Sequence, residues 1–322
     1  MDAIRDPGAS AGRLPERSPP WKGGSSVLQE SASEGETYHE RSLADALSGK
    51  SKGGNPYQEL VEVVDELNGE RARIYPLMMQ DWQKDRQEID KLRSEWKKLD
   101  SLYQRASKLA NTDTTAIDKQ IDGITDALVE IHDQLARFEG QTREEAQAIS
   151  DQERRTSALE DSFDGSSYMK AAKVLGAMRS EIAMLTSANQ HNEASSWASA
   201  PQKNFGRLIS YERTVLGLRP LKLEEKLSAS ATGHSGDMAR IGFFSHTSPV
   251  PGKKTFSDRA RKAGFQGGPS GECIAAGQGS FSSAYQSWFY SDGHRHIMLA
   301  KGPSVLGFGV VSKHWTLVTG RR

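Results

Sequence analysis

The sequence predicts an α+β protein in which an acidic, helical N-terminal half precedes a compact domain of mixed helices and strands. Three observations lead there. Between Tyr57 and about Gln190, apolar residues recur with alternating spacings of four and three, as in helices that pack along a narrow seam. Beyond residue 204, glycine, aromatic and histidine content rises, and strand-like runs such as "VLGFGVV" and "HWTLVTG" close the chain. The charge divides at the same place. Residues 201–322 carry 17 Lys and Arg against 7 Asp and Glu, a net +10, while residues 1–200 carry 25 against 35, a net −10.

Residues 1–56 are rich in Gly, Ser, Pro and charge, cannot offset the entropy of folding, and are expected to be disordered. The helical region is expected over 57–190. Its seams are Ile89, Leu92, Trp96, Leu99, Tyr103 and Ala106; then Ile117, Ile121, Ile124, Leu128, Ile131, Leu135 and Phe138; then Tyr168, Ala171, Leu175, Met178, Ile182 and Leu185. Asn111 to Thr115 supply caps before the second seam, Gly140 a stop after it, and Pro76 is expected to break or kink the start of the first. The three seams predict an antiparallel helical hairpin or coiled-coil stalk, acting as a spacer or a self-association arm. His132 lies beside the second seam as a partly exposed helix residue. "HNEASSWASAPQKN", residues 191–204, reads as a linker, and 205–322 as a single domain of ordinary size.

Several function classes are excluded. The one cysteine, Cys273, rules out an intramolecular disulfide framework and a multi-cysteine metal site. No apolar run approaches the roughly 20 residues that span a bilayer, and residues 1–24 have no apolar core of a secretory signal. The basic C-terminal part suits an anionic surface or the chain's own acidic half; no nucleic-acid partner is expected.

The residues able to carry chemistry cluster late. Five of eight histidines, His234, His246, His294, His296 and His314, fall in the last domain. "LSASATGHSGDMARIGFF" puts His234 on a helix, "FFSHTSPVPGKK" puts His246 in a loop, and "YQSWFYSDGHRHIML" puts His294 near a helix start. Glu272 of "GPSGECIAAGQG" is the only acid between Asp258 and Asp292. Two neutral imidazoles and a carboxylate suit Zn²⁺ or a similar divalent ion with an open position for water; without metal, the same trio could position water or a polar ligand. Cys273 is a poor nucleophile, because an adjacent acid opposes thiolate formation. His296 should point away from His294. H-E-x-x-H, C-x-x-C and P-loop motifs are absent, "GHSGD" is not a nucleophile elbow, and "GQG" reads as a turn.

Taken in order, "YERTVLGLRPLKLEEKLSASATGHSGDMARIGFFSHTSP", "SGECIAAG", "WFYSDGHRHIML" and "VLGFGVV" resemble the CAP superfamily, or SCP domain, in its bacterial form. That superfamily includes cysteine-rich secretory proteins, antigen 5 and pathogenesis-related protein 1. The resemblance covers roughly residues 205–320 and implies an α-β-α sandwich with a central, mostly antiparallel sheet. It implies a cleft with His246 and His294 as the histidines able to ligate a divalent metal, Glu272 as its acid and candidate catalytic group, and His234 along its wall. The second acid of eukaryotic members would fall at Ser291, with Asp292 one step along. Cys273 and Ile297 stand where many relatives carry Asn, so a polar contact is expected to have become apolar.

The resemblance implies export, hence an extracellular or envelope location. Three functions follow for testing: a binding module for a metal, small ligand, lipid or peptide; a metal- or His/Glu-dependent hydrolase of the peptidase type; and a structural protein with a vestigial cleft.

Overall fold

The computed structural model describes residues 57–82, 85–112 and 167–322, with isolated positions between 119 and 157. Three long helices come first: α1 (Gln58–Met78), α2 (Arg86–Ala110) and α3 (Ser167–Ala194). The 89–106 seam is entirely buried along α2, and Ala171, Leu175, Met178 and Leu185 are buried along α3. The 117–138 seam, His132 and the Tyr168 side chain lie outside the described residues. Pro76 sits in the last turn of α1, which ends at Met78, and α2 starts afresh from its N-cap Asp85. Asp85 starts α2 by accepting from the backbone N–H groups of Gln87 and Glu88.

The stretch expected as a linker is largely helical. Helix α3 runs to Ala194 and α4 (Ala200–Val215) begins six residues later, so only 195–199 lies between them. The polar residues that suggested a linker are tied to strand backbone instead. Asn192 pairs with both Leu221 O and Leu223 N, and Gln202 donates to Phe308 O while also holding the Ser199 N–H at the start of α4.

The remaining elements are β1 (Lys222–Leu223), α5 (Glu225–Ile241), α6 (Phe256–Lys262), β2 (Gly268–Ala276), α7 (Phe281–Phe289), α8 (Asp292–Leu299), β3 (Val305–Val311) and β4 (His314–Arg321). The sheet order is β1-β3-β4-β2. Only the β1–β3 pairing is parallel. Helices cover both faces, giving the α-β-α sandwich, and the fold class is α+β.

Side-chain alternation along β3 shows how the layers meet. Phe308 turns to one face and stacks on Phe205 of α4, ring centroids 4.0 Å apart, with Trp288 of α7 set edge-on. Gly307 and Gly309 turn to the other face, where α5 lies so close that a Cβ at 307 would stand 2.1 Å from the Leu227 carbonyl carbon. On β2, a Cβ at Gly271 would come within 2.9 Å of Ile297 on α8.

Helices α1 to α3 form no free stalk; their apolar faces continue into the core of the C-terminal domain. Arg93 of α2 makes paired hydrogen bonds to the buried Glu212 of α4 and lies over the rings of Trp96 and Phe289. Arg71 of α1 donates to the carbonyls of Thr214 and Val215 at the C-terminal end of α4, a placement the helix dipole favours.

Gly307→Ala is expected to lose at least about 1–3 kcal/mol of stability, because backbone rather than a movable side chain occupies the space. Urea unfolding of the two proteins measures it, and an unchanged midpoint would contradict the tight α5–β3 contact.

Candidate ligand cleft

Strand β2 ends the sheet order, so among the described residues one of its edges has no strand beside it. Trp288 of α7 caps part of that edge by donating its indole N–H to the Ile274 carbonyl at 2.9 Å. The candidate site lies alongside. Glu272 and Cys273 are consecutive on β2 and therefore face opposite sides of the sheet, in register with Val318 and Leu317. Glu272 turns toward α5 and α6. Cys273 is fully buried on the other side, its Sγ 3.7 Å from the His294 carbonyl oxygen. Burial, and then the charge of Glu272, pushes the thiol well above its ordinary range, so Cys273 packs as a small apolar residue.

The Glu272 carboxylate is almost completely shielded from solvent, and both its oxygens are engaged. Oε1 lies 2.8 Å from His246 Nδ1, and Oε2 accepts from Arg259 Nη2 at 2.5 Å. A carboxylate oxygen accepts, so His246 donates from Nδ1 in this pair, and Nε2 is the nitrogen not used by Glu272. Arg259 belongs to α6, which starts at a capping box between Thr255 and Asp258. The same guanidinium donates to the carbonyls of His246, Lys253 and Lys254. One buried arginine thus fixes both the carboxylate and the loop that carries His246.

His234, on α5, has no solvent exposure. Its Nε2 donates to the Ser245 carbonyl at 3.1 Å and stands 4.0 Å from Glu272 Oε1, while Nδ1 is buried without a partner. Burial lowers its pKa, the nearby Glu272 charge acting against it. His234 is thus a neutral brace beneath the loop.

The opposite wall is α8. Ser291 occupies its N-cap position, where its carbonyl accepts the Arg295 N–H but its side chain makes no cap bond; the hydroxyl instead meets His294 Nδ1 at 2.9 Å. Burial, and then the proximity of His246, lowers the His294 pKa. The rings of His246 and His294 are 6.1 Å apart between centroids. Asp292 takes part in packing, bonded to Arg295 and to the Trp82 N–H.

His234, His246, Glu272, Ser291 and His294 are therefore gathered around one edge of β2. His296 reaches away, toward Gln80 O and Asp81, and His314 opens β4. Sequence reasoning missed Arg259. The T-x-x-D pattern of "TFSDRARK" signals a helix start, but nothing local marks that arginine as the partner of an acid 13 positions away.

Imidazole nitrogens are ordinary ligands of Zn²⁺, and His246 and His294 are the two facing imidazoles of this site. Among the described residues, no group of three or more His, Cys, Asp and Glu is placed to hold a metal. The donor set is two imidazoles, with the acid held behind one of them.

Residues 207–316 match the profile of CAP, the cysteine-rich secretory protein family. The C-terminal domain is a member of that family. It is similar to YkwD, an uncharacterized protein of Bacillus subtilis strain 168, at 35% identity over 130 residues, which covers 40% of this chain and 50% of YkwD. It is also similar to YlbC, an uncharacterized membrane protein of the same organism, at 31% identity, covering 36% of this chain and 33% of YlbC. The chain thus spans half or less of these two relatives. Among solved structures, an extracellular SCP-domain protein from Bacillus anthracis aligns at 32% identity and a TM-score of 0.36, covering 37% of this chain and 40% of that one. An outer surface protein of Borrelia burgdorferi aligns at 17% identity and a TM-score of 0.34, covering 38% and 92%.

Two tests follow. Arg259→Met should cost about 3–5 kcal/mol by stranding the Glu272 charge, and Arg259→Met/Glu272→Leu should cost less than the sum of the single changes; additive losses in denaturant unfolding would refute the coupling. The second concerns acid. His234 and His294 both sit below the ordinary imidazole value of 6.5, so the unfolded chain binds protons more readily than the native one. Their contribution is complete above that value and is lost as pH falls from it toward the depressed native values. Urea midpoints should drop below pH 6.5, with a shallower drop in His234→Gln; identical slopes would exclude His234 as a source.

Proposed function

We propose that the cleft is a binding site that holds a divalent metal ion, or a small polar ligand in its place, between His246 and His294. The observation that carries this reading is the matched tethering of the two imidazoles. Each has Nδ1 engaged from behind, by Glu272 and by Ser291, and their rings stand 6.1 Å apart. A carboxylate or hydroxyl on one ring nitrogen orients the other and raises its basicity, as behind many metal-binding histidines. The lowered pKa of His294 keeps that imidazole neutral near pH 7, the form that ligates.

Two protein ligands leave most of a metal's coordination positions to water or to a bound molecule. A Zn²⁺ ion there would supply Lewis acidity to whatever oxygen it bound. This chain's contribution is to orient the two nitrogens. Glu272 accepts from His246 Nδ1, and Arg259 holds the second oxygen of that carboxylate in place. An extracellular or envelope location belongs to the same proposal, supported by the secretory family that the domain matches.

Titration of the full chain with Zn²⁺ against a competing chelator tests the reading. His246→Ala and His294→Ala should each abolish or sharply weaken saturable binding. Glu272→Gln and Ser291→Ala should weaken it by about 10- to 100-fold. Unchanged affinity in both histidine variants would end the claim.

A further inference from the structure

The two walls of the cleft are anchored differently. His246, Glu272, Arg259 and His234 are bound to one another and to the sheet, all within the C-terminal domain. His294 and Ser291 ride on α8, whose polar anchors come largely from the helical region. Arg295, fully buried, donates Nε–H to Met78 O and Nη2–H to Gln80 O, both at 2.8 Å, at the C-terminal end of α1. Its remaining bonds return to Phe289 O and Asp292 Oδ1. The other Asp292 oxygen accepts the Trp82 N–H at 3.1 Å, and Tyr75 donates its hydroxyl to Leu299 O at the far end of α8. Residues 75–82 thus grip both ends of an eight-residue helix. The C-terminal domain holds the far end of α8 through Arg213 of α4, which donates to Met298 O and Ala300 O, while at the first turn its contacts are softer: Ile297 over Gly271, and the weak thiol contact of Cys273 to the His294 carbonyl.

We propose that the end of α1 and the connector that follows it set the gap between the two cleft histidines, with Arg295 as the positioning residue. Arg295 touches neither imidazole. It fixes the first turn of α8 against carbonyls that have no helical partner of their own, where a cation is favoured. Docking of residues 75–82 then determines where His294 stands relative to His246. A displacement of this segment against the sheet is transmitted to the first turn of α8 through Arg295 and Asp292, whereas the Tyr75 contact bears on its far end. The helical region is a working part of the site.

The experiment uses the full chain with Arg295→Lys and Asp292→Asn, and with Arg71→Gln as a variant that loosens the same helical region far from α8. Arg295→Lys keeps the charge but loses the planar fork that serves three carbonyls and a carboxylate; Asp292→Asn is nearly isosteric and guards against misfolding of the arginine variant. Two quantities are read: the ring NMR signals of His294 and His234 without metal, and affinity for Zn²⁺ alone. In both α8 variants the His294 signals should shift or broaden while those of His234 stay, and Zn²⁺ affinity should fall about tenfold. Arg71→Gln, even with an equal loss of thermal stability, should leave both unchanged. Unaltered His294 signals in both α8 variants, or equal changes in Arg71→Gln, would overturn the proposal. The affinity readout rests on the metal-binding reading. Should Zn²⁺ fail to bind the parent chain, that reading falls, and the ring signals alone still decide this one.

Discussion

A carboxylate with no access to water has to be matched in charge and in hydrogen bonds, and Glu272 imposes that requirement on everything near it. The penalty for burying such an ion is several kcal/mol before pairing. Arg259 supplies the countercharge and His246 the second donor, so that both carboxylate oxygens are used. The remaining donors of Arg259 then become the constraint. Nη1 and Nη2 donate to three carbonyls of the 246–254 loop, which is therefore held in one shape. The position of His246, the brace from His234 to Ser245 and the start of α6 all follow from satisfying one buried charge.

The same logic repeats at the joint between the helical region and the C-terminal domain. Arg71, Arg93, Arg213 and Arg295 lie where helix ends meet, and each is directed at backbone carbonyls or a buried acid. Arg213, pushed down to about 10 by burial, donates to Met298 O and Ala300 O at the end of α8. Planar guanidinium groups suit this use because several fixed donors can serve several carbonyls at once. Apolar burial joins the two regions, and the arginines fix how they are joined. This explains how a chain whose halves carry opposite net charge forms a continuous core.

What could be read in advance follows from whether a signal is local. The α2 seam was legible because one face alone is buried, leaving a clean period. In α1, Leu60, Val61, Val63, Val64 and Leu67 bury more than one face, so no narrow stripe stood out. Strands β3 and β4 announced themselves through β-branched and aromatic residues. Strand β2 did not, since "GPSGECIAA" is rich in small residues that let α8 lie close. The histidines and Glu272 were found through motif order. Arg259 and Arg295 were not assigned roles, because their partners are fixed only by the fold. Asn192 and Gln202 read as linker residues because they are polar, whereas their side chains bond strand backbone.

Gly271 gives the site a dependence that no polar residue would reveal. With only a hydrogen where other residues carry carbon, it lets Ile297 settle onto the strand and brings the first turn of α8 level with the edge of the sheet. The clearance between the histidines is therefore also written in a missing side chain. A side chain at this position would move α8 outward from the strand and alter the distance between His246 and His294.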